Sequence, residues 1–240
     1  MLQSFCYYCT MFKPEDFKGE FFVSTDALKH KLISTQLLVF DWDGVFNNGN
    51  KSATNGSGFS EPDSMGLNLL RFSFWLETGA IIPIIVITGE PNESAKMLAM
   101  REKFNAIYYG VKQKDKALNH YLEGQSGMHP NNAAMFFDDV IDLSIAQQAG
   151  LRIMINRAGP QTFINYVKSN NLADYLTYNY GGLGALREAF ELLLSVQGNL
   201  ERTIEERVQF SARYKEYLDA RQQIELTIYK AGEKNDFIKQ

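Results

Sequence analysis

Residues 37–45 read Leu37-Leu38-Val39-Phe40-Asp41-Trp42-Asp43-Gly44-Val45. Four apolar residues, typical of a buried strand, are followed by two carboxylates spaced two apart and then by a glycine. Two acids at the end of a buried strand repel each other when both are ionised. A divalent cation offsets that repulsion, and Asp oxygens are ligands that Mg²⁺ prefers. The segment therefore indicates a site where a carboxylate attacks a phosphoryl group held against a metal.

Two other structures also fit this segment. Asp and Gly suit tight turns, so the acids could form a turn that binds nothing. A calcium-binding loop also alternates Asp with other residues, but its later ligand positions, counted from Asp41, fall on Val45 and Ser52. The calcium loop is therefore disfavoured, and the remainder of the chain decides between a turn and a phosphoryl-transfer site.

The composition limits the classes of protein that need to be considered. The chain has 240 residues, of which 45% are hydrophobic, which suits one α/β domain with an appendage or two small domains. Its formal net charge of −4 does not favour general nucleic-acid binding. No apolar run is long enough to span a bilayer, and residues 1–12 lack the pattern of a secretory signal. We therefore expect a cytoplasmic protein without a nucleic-acid or membrane partner.

One Cys-x-x-Cys pair, formed by Cys6 and Cys9, stands near the N-terminus. Zinc would need a second ligand pair, and a thioredoxin-like redox site would need a following helix. Neither is visible, so we interpret the pair as incidental in a reduced cytosolic protein.

Apolar strand-like runs alternate with helical stretches through residues 37–197. This alternation predicts an α/β fold with a doubly wound, Rossmann-like parallel sheet and helices on both faces, whose ligands bind beyond the carboxyl ends of the strands. The predicted strands are 37–40, 80–87, 106–109, 133–137 and 151–155, and the predicted helices are 65–77, 94–104, 114–123, 142–149 and 185–196.

Three segments stand outside this alternation. The polar, glycine-rich residues 47–60 predict a hairpin or loop placed where a lid could form. The glycines at 181–184 precede a helix and could hold an anion, but a plain turn is the favoured interpretation. After Gly198, Asn199 can cap a charged helix that runs to about Ala231 and reaches about 50 Å. This helix packs either on its own domain or on another subunit, or else it is a solvated tail.

Further candidates for phosphoryl transfer lie downstream of the first strand. Thr88 and Gly89 follow the second predicted strand and offer a hydroxyl and a backbone N–H to a phosphate oxygen, although Thr-Gly after a strand is common. Lys112, Lys114 and Lys116 cluster before Ala117–Leu122, the apolar part of the predicted helix 114–123. Most lysines at such spacing are solvated, so we expect only one of the three to be functional.

A second acidic group follows the fourth predicted strand, at Asp138, Asp139 and Asp142. A single Asp would suit a helix N-cap, but three exceed that need. Together with Asp41 and Asp43, they give one sheet two acidic strand ends. This arrangement indicates a shared metal.

The order Asp-x-Asp-Gly, Thr-Gly, Lys, Asp-Asp-x-x-Asp resembles the haloacid dehalogenase (HAD) superfamily of phosphohydrolases over about residues 35–197. Within it the chain is most similar to the 3-deoxy-D-manno-octulosonate 8-phosphate (KDO 8-phosphate) phosphatase family. The strings that carry this resemblance are LLVFDWDGVF, IPIIVITGE, GVKQKDKALNHYL, FFDDVIDLSIAQQAGL and GGLGALREAFELLLSVQGNL. The resemblance implies a phosphoric monoester hydrolase with a HAD-like domain at 35–197, between an N-terminal extension (1–34) and a C-terminal helical extension (198–240).

The resemblance also implies catalytic roles. Asp41 would be the nucleophile that forms an aspartyl-phosphate, and Asp43 would protonate the leaving alcohol and later activate water. Thr88 and Gly89 would bind the phosphoryl group. Lys116, preferred to the other two lysines because it immediately precedes the helix, would bind the phosphate and steady the charge on the nucleophile.

The implied cofactor is Mg²⁺. Its ligands would be Asp41, Asp138 and the backbone carbonyl of Asp43. Asp139 and Asp142 would complete the metal loop or would contact the metal ligands without binding the ion themselves.

Three departures from the family pattern bear on the metal loop or on the substrate. Phe137 stands where the family has Gly, Pro62-Asp63-Ser64 replaces Arg-Asp-Gly, and Glu90 replaces an Arg after the Thr-Gly pair. The change from Arg to Glu90 removes a guanidinium that recognises carboxylates and introduces repulsion towards acidic sugars. Alternatively, Glu90 accepts hydrogen bonds from sugar hydroxyls, as in phosphatases of related nine-carbon acidic sugars. We expect a small sugar phosphate, KDO 8-phosphate or a related acidic-sugar phosphate, with Glu90 as a specificity residue.

Members of this family have a minimal hairpin cap and form tetramers in which neighbouring subunits help to close each site. The resemblance therefore implies a homotetramer, with residues 47–60 as the hairpin that contributes to assembly. Two alternatives stay open. One is a phosphotransferase or mutase that uses the same aspartyl-phosphate, and the other is a non-catalytic assembly protein that works through its C-terminal helix.

Overall fold

The predicted α/β sheet is present in the computed structural model, which describes residues 13–51, 57–232 and 236–240. Cys6, Cys9 and residues 52–56 of the predicted hairpin lie outside these described residues. The strands are β1 (Glu20–Phe21), β2 (Leu37–Phe40), β3 (Ile84–Ile87), β4 (Ala106–Tyr109), β5 (Ala133–Phe137), β6 (Leu151–Asn156), β7 (Tyr175–Tyr180), β8 (Thr227–Ala231) and β9 (Phe237–Lys239). The helices are α1 (Thr25–Ile33), α2 (Glu61–Thr78), α3 (Glu93–Glu102), α4 (Lys114–Glu123), α5 (Leu143–Ala146), α6 (Thr162–Ser169), α7 (Ala185–Gln197), α8 (Leu200–Val208) and α9 (Ala212–Gln222).

Within the described residues the strands form one nine-stranded sheet of order β1-β7-β6-β5-β2-β3-β4-β8-β9. All neighbours are parallel except the two edge pairs, β1 with β7 and β8 with β9. The chain leaves β2 towards β3 on one side and later returns to β5 on the other, so the strand order reverses at β2. Phe40 at the end of β2 is level with Val86 of β3 and Phe136 of β5. The residues that follow these strands therefore meet at a topological switch point.

The centre of the sheet is buried on both faces, as parallel sheets require. Leu38 and Phe40 of β2 face a cluster that includes α2 and α7, whereas Leu37 and Val39 face a second cluster that includes α4, α5 and α6. Phe40 stacks on Phe136 with ring centroids 4.5 Å apart. Burial of each such side chain contributes about 1.5–3 kcal/mol to folding. This packing holds β2 and β5 in register just below the acidic strand ends.

The predicted single helix from residue 199 to about 231 is wrong. Helix α8 ends at Val208, Phe210 has a left-handed backbone with φ 48°, and the Ser211 side chain caps α9 by accepting a hydrogen bond from the amide of Tyr214 at 3.1 Å. After α9 the chain forms β8, which pairs with β4. A strong N-cap and a strand-forming Thr-Ile-Tyr run override the charged helical pattern.

This C-terminal segment packs on its own domain. Tyr217 is fully buried, and together with Tyr214 it contacts Phe72 of α2, with ring centroids about 5.0 Å apart. Strands from both predicted extensions join the central sheet. The division into 1–34, 35–197 and 198–240 stays a prediction. No helix in the described part of the chain is both long and apolar enough to cross a membrane.

Candidate active site

The carboxyl ends of the central strands open into a cleft of about 730 Å³. The predicted site residues that line it are Asp41, Asp43, Thr88, Gly89, Glu90, Asp138 and Asp139. Parallel pairing explains this convergence, because strands aligned in register present their C-terminal residues at one edge. Residues separated by almost 100 positions in sequence thus share one surface.

Three buried carboxylates form the base of this site. Asp41, Asp138 and Asp142 each offer an oxygen, and these oxygens lie within 4.8 Å of one another. Asp138 Oδ1 is buried without a hydrogen-bond partner. Gly44 makes room for Asp138, since a Cβ at residue 44 would lie 2.2 Å from Asp138 Oδ2. A dense group of acidic oxygens with an unsatisfied member suits a divalent cation.

The acids perturb one another strongly. Burial raises the pKa of Asp41 to about 7, with the charge of Asp142 adding to the effect and Lys114 opposing it. Burial, followed by the charges of Asp41 and Asp142, raises the pKa of Asp138 to about 8. A bound cation would favour the ionised carboxylates and remove these elevations. The donor set therefore fits the predicted Mg²⁺.

The structure corrects the choice of lysine. Lys114 is fully buried, and its ammonium lies 2.6 Å from Asp41 Oδ1 and 2.6 Å from Asp142 Oδ1. Lys116, the predicted phosphate-binding and catalytic lysine, is exposed to solvent. Lys114 is the first residue of α4, and two further residues rotate the side chain by about 200° around the helix. The helix therefore directs Lys114 to the acids and Lys116 away from them.

Asp142 has a more central place than the prediction gave it. It is fully buried, it anchors Lys114, and its second oxygen accepts a hydrogen bond from the amide of Asp139 at 3.3 Å. It thus ties the loop after β5 to the lysine that contacts Asp41. Asp139 is more exposed and accepts a hydrogen bond from the amide of Val140 at 2.6 Å.

Asp43 lies nearer the mouth of the cleft than Asp41, with its side chain 24% exposed against 7%. Its Oδ1 accepts a 2.5 Å hydrogen bond from Ser57 Oγ, and Lys51 Nζ lies 3.0 Å from its Oδ2. Ser57 Oγ in turn accepts a hydrogen bond from Asn92 Nδ2 at 2.7 Å. This chain of contacts fixes Asp43 apart from the acid cluster. No sequence motif marked Ser57 or Lys51.

Glu90 also meets Lys51, whose ammonium lies 2.8 Å from Glu90 Oε2. The hydrogen bond to Glu90 is the largest of the effects that raise the pKa of Lys51. Lys51 therefore bridges Glu90 and Asp43 across the cleft mouth. Lys51 thus compensates the negative charge of Glu90.

Arg157 is a further cleft residue that the sequence analysis missed. It follows β6, and its Nη1 donates to Asp139 Oδ2 at 2.7 Å and lies 3.8 Å from Asp138 Oδ2. The only signal in the sequence is its position after a predicted strand, which by itself specifies no function.

Comparison with known proteins agrees with this geometry, although no family model matches the chain. KDO 8-phosphate phosphatase KdsC of Escherichia coli K12 is 28% identical over 183 residues, 75% of this chain and 89% of the relative. KdsC of Yersinia pestis is 29% identical over 184 residues, 73% of this chain and 88% of the relative.

Solved structures show the same likeness. The KDO 8-phosphate phosphatase of Moraxella catarrhalis, in complex with magnesium, phosphate and KDO, aligns with a TM-score of 0.63 and 26% identity over 77% of this chain and 99% of that one. The enzyme from Yersinia pestis gives 0.60 and 26% over 73% and 89%. The predicted resemblance and enzyme class, a HAD-type phosphatase, are confirmed. The predicted fold class is confirmed with them.

The glycines at 181–184 form a turn that supports the loop after β2. A Cβ at Gly181 would lie 1.9 Å from the carbonyl oxygen of Gly44, and Gly182 has a φ of 72°. Asn47 holds the same loop from within, because its Nδ2 donates to the carbonyl of Trp42 at 3.1 Å. The favoured interpretation of these glycines as a turn therefore agrees with the structure, and the turn packs directly against the acidic loop.

Proposed function

We propose that this chain is a Mg²⁺-dependent phosphatase that hydrolyses KDO 8-phosphate or a related acidic-sugar phosphate through an aspartyl-phosphate on Asp41. The observation that carries the proposal is the buried cluster of Asp41, Asp138 and Asp142 with Lys114 in contact. The relatives named for KDO 8-phosphate support the substrate class.

Asp41 and Asp138 would hold the Mg²⁺ together with the backbone carbonyl of Asp43. When bound, this ion neutralises phosphate charge and orients the phosphoryl group. Asp142 would keep its contact with Lys114 and so set the position of the lysine. The unsatisfied Oδ1 of Asp138 is the atom of the site that most needs a cation.

The first chemical step belongs to Asp41. Lys114 orients its carboxylate and favours its ionised form. A free oxygen of Asp41 attacks phosphorus, the bond from phosphorus to the sugar oxygen breaks, and Asp43 gives its proton to that oxygen. Thr88 and Gly89 would bind the phosphoryl oxygens from the end of β3.

In the second step, water attacks the aspartyl-phosphate. Asp43, now ionised, takes a proton from the water, phosphate leaves, and the Asp41 carboxylate is restored. Ser57 and Lys51 hold Asp43 at the mouth of the cleft, where the sugar oxygen and the water must come. The two carboxylates thus have different roles because their surroundings differ.

The pairing of Glu90 with Lys51 supports an acidic substrate. An uncompensated Glu90 would repel a sugar carboxylate, whereas the 2.8 Å ion pair reduces that repulsion. Glu90 would then accept hydrogen bonds from sugar hydroxyls and act as the specificity residue.

We also propose that the enzyme works as a homotetramer in the cytoplasm. Val140, Ile141 and Leu183 are 60%, 50% and 67% exposed. Ile141 and Leu183 line the cleft, and apolar side chains at such a position suit a subunit contact that helps close it. Light scattering of the purified protein measures the mass; a monomer at micromolar concentration would contradict this part of the proposal.

The decisive test of the proposed function replaces the nucleophile. With Mg²⁺ present, the wild-type enzyme should release phosphate from KDO 8-phosphate and from p-nitrophenyl phosphate. Asp41→Asn should abolish both activities while circular dichroism shows an intact fold. Retained turnover by this variant would refute the assignment. Product analysis with added alcohol acceptors separates hydrolysis, which yields free phosphate, from a phosphotransferase or mutase.

A further inference from the structure

Arg157 carries a charge that the proposed chemistry leaves unused. The described wall of the cleft contains five carboxylates and two basic side chains, Lys51 and Arg157. A doubly charged phosphate can meet the Mg²⁺ and Lys114. A second acidic group on the same substrate needs a cation of its own, because the remaining wall is acidic.

Lys51 is poorly suited to that task, since its ammonium already bridges Asp43 and Glu90. Among the described residues, the guanidinium of Arg157 makes one hydrogen bond, from Nη1 to Asp139, which is itself 44% exposed, and it lies 3.8 Å from Asp138 Oδ2. An ion pair between two partly exposed groups is weak and exchanges readily. Arg157 is therefore the basic group of the cleft that can turn to a ligand at the smallest cost.

Neighbouring residues also support Arg157 on the cleft wall. Its guanidinium lies over the ring of Phe163, 5.3 Å from the centroid. Its backbone amide donates to Asn156 Oδ1 at 2.9 Å, and Asn156 Nδ2 donates to the carbonyl of Tyr178 at 3.3 Å. A planar donor fork that lies over an aromatic ring and extends from a hydrogen-bonded backbone recognises a carboxylate through two parallel hydrogen bonds.

We propose that Arg157 binds a carboxylate of the substrate, so that the enzyme selects phosphorylated sugar acids over the same sugars without the acid. Glu90, which follows Thr88-Gly89, cannot donate to a carboxylate, whereas Arg157 presents a guanidinium directly after β6. The inference rests on the proposed function and adds the residue that recognises the acid.

A matched substrate pair tests this. Gluconate 6-phosphate and glucitol 6-phosphate have the same open chain and differ at the first carbon, which is a carboxylate in one and a hydroxymethyl group in the other. For the wild type, kcat/KM should favour the acid by on the order of 10- to 100-fold, the range for a hydrogen-bonded charge pair. In Arg157→Gln this ratio should fall to about one, mainly through KM for the acid. Arg157→Lys should keep part of it, and the exposed Arg213→Gln, a matched loss of charge, should keep all of it.

Three results would overturn the assignment. An equal loss of kcat/KM for both substrates in Arg157→Gln would place Arg157 at the phosphoryl group, and an unchanged ratio would remove it from recognition. Failure of the proposed function is distinguishable, because a wild type that hydrolyses neither substrate nor p-nitrophenyl phosphate with Mg²⁺ is not this phosphatase. A wild type that hydrolyses both sugar phosphates equally well would refute the role of Arg157 and leave the proposed function unaffected.

Discussion

Replacement of Lys114 by Met tests the buried charge network at its centre. The ammonium is inaccessible to solvent and lies 2.6 Å from Asp41 and from Asp142. Met has a similar length, so the change removes the charge with little loss of volume. Two buried carboxylates then lose their shared counter-ion. Removing one partner of a buried ion network costs about 3–5 kcal/mol.

That cost is measurable by two methods. Urea unfolding should show a free energy of unfolding lower by about 3–5 kcal/mol, and for a chain of this size the melting temperature should fall by about 6–20 °C. The kcat for p-nitrophenyl phosphate should fall by at least about 100-fold, because charge stabilisation at the phosphoryl group is lost.

Lys116→Met is the matched control for this experiment. Its side chain is exposed, so the same substitution should change the free energy of unfolding by less than about 0.5 kcal/mol and leave kcat nearly unaltered. If Lys116→Met inactivated the enzyme while Lys114→Met did not, the reasoning from burial and contact would be refuted.

Three further perturbations probe the same site and the C-terminal segment. Because burial raises the pKa of Asp138 to about 8, the folded metal-free protein binds more protons than the unfolded chain between about pH 4 and pH 8, and its stability should fall as pH rises in that window. Thermal unfolding in EDTA measures this dependence, and added Mg²⁺ should raise the melting temperature more at pH 8 than at pH 5.5. A melting temperature in EDTA that does not change with pH would contradict the buried acid cluster. Ser57→Ala removes the 2.5 Å hydrogen bond to Asp43 and should lower kcat for sugar phosphates by about 10-fold with little change in KM, and an unaltered kcat would show that Asp43 needs no such support. Tyr217→Ala empties a fully buried site between α9 and α2 and should lower the free energy of unfolding by about 3–5 kcal/mol, whereas the exposed Lys215→Ala should not; equal effects would mean that the segment does not pack as described.

The centre of the fold was predictable because local and tertiary preferences agree there. The strands 37–40, 106–109 and 133–137 have the predicted bounds, since each is an apolar run bounded by polar or turn residues. A parallel sheet then brings Asp41 and Asp138 together without further information. The strand predicted at 80–87 begins only at Ile84, because Gly79 ends α2 in a left-handed conformation and three residues without regular structure follow the bend at Ala80.

The errors arose where a short-range feature or a distant contact decides the structure. Lys114 and Lys116 are the same residue type, and only the direction of their side chains differs, because they lie about half a turn apart on α4. The cap at Ser211 divides a charged segment that otherwise has a helical pattern throughout. Ser57 and Arg157 contact acids of the cleft that are distant in sequence, and no local sequence pattern records such contacts.

A crystal structure with Mg²⁺ and beryllium fluoride, a mimic of a phosphoryl group on a carboxylate, tests the central claim most directly. We predict beryllium on an oxygen of Asp41, with one Mg²⁺ about 2.1 Å from carboxylate oxygens of both Asp41 and Asp138 and with Lys114 beside the fluorides. An ion bound elsewhere, or a beryllium adduct on any residue other than Asp41, would contradict the account.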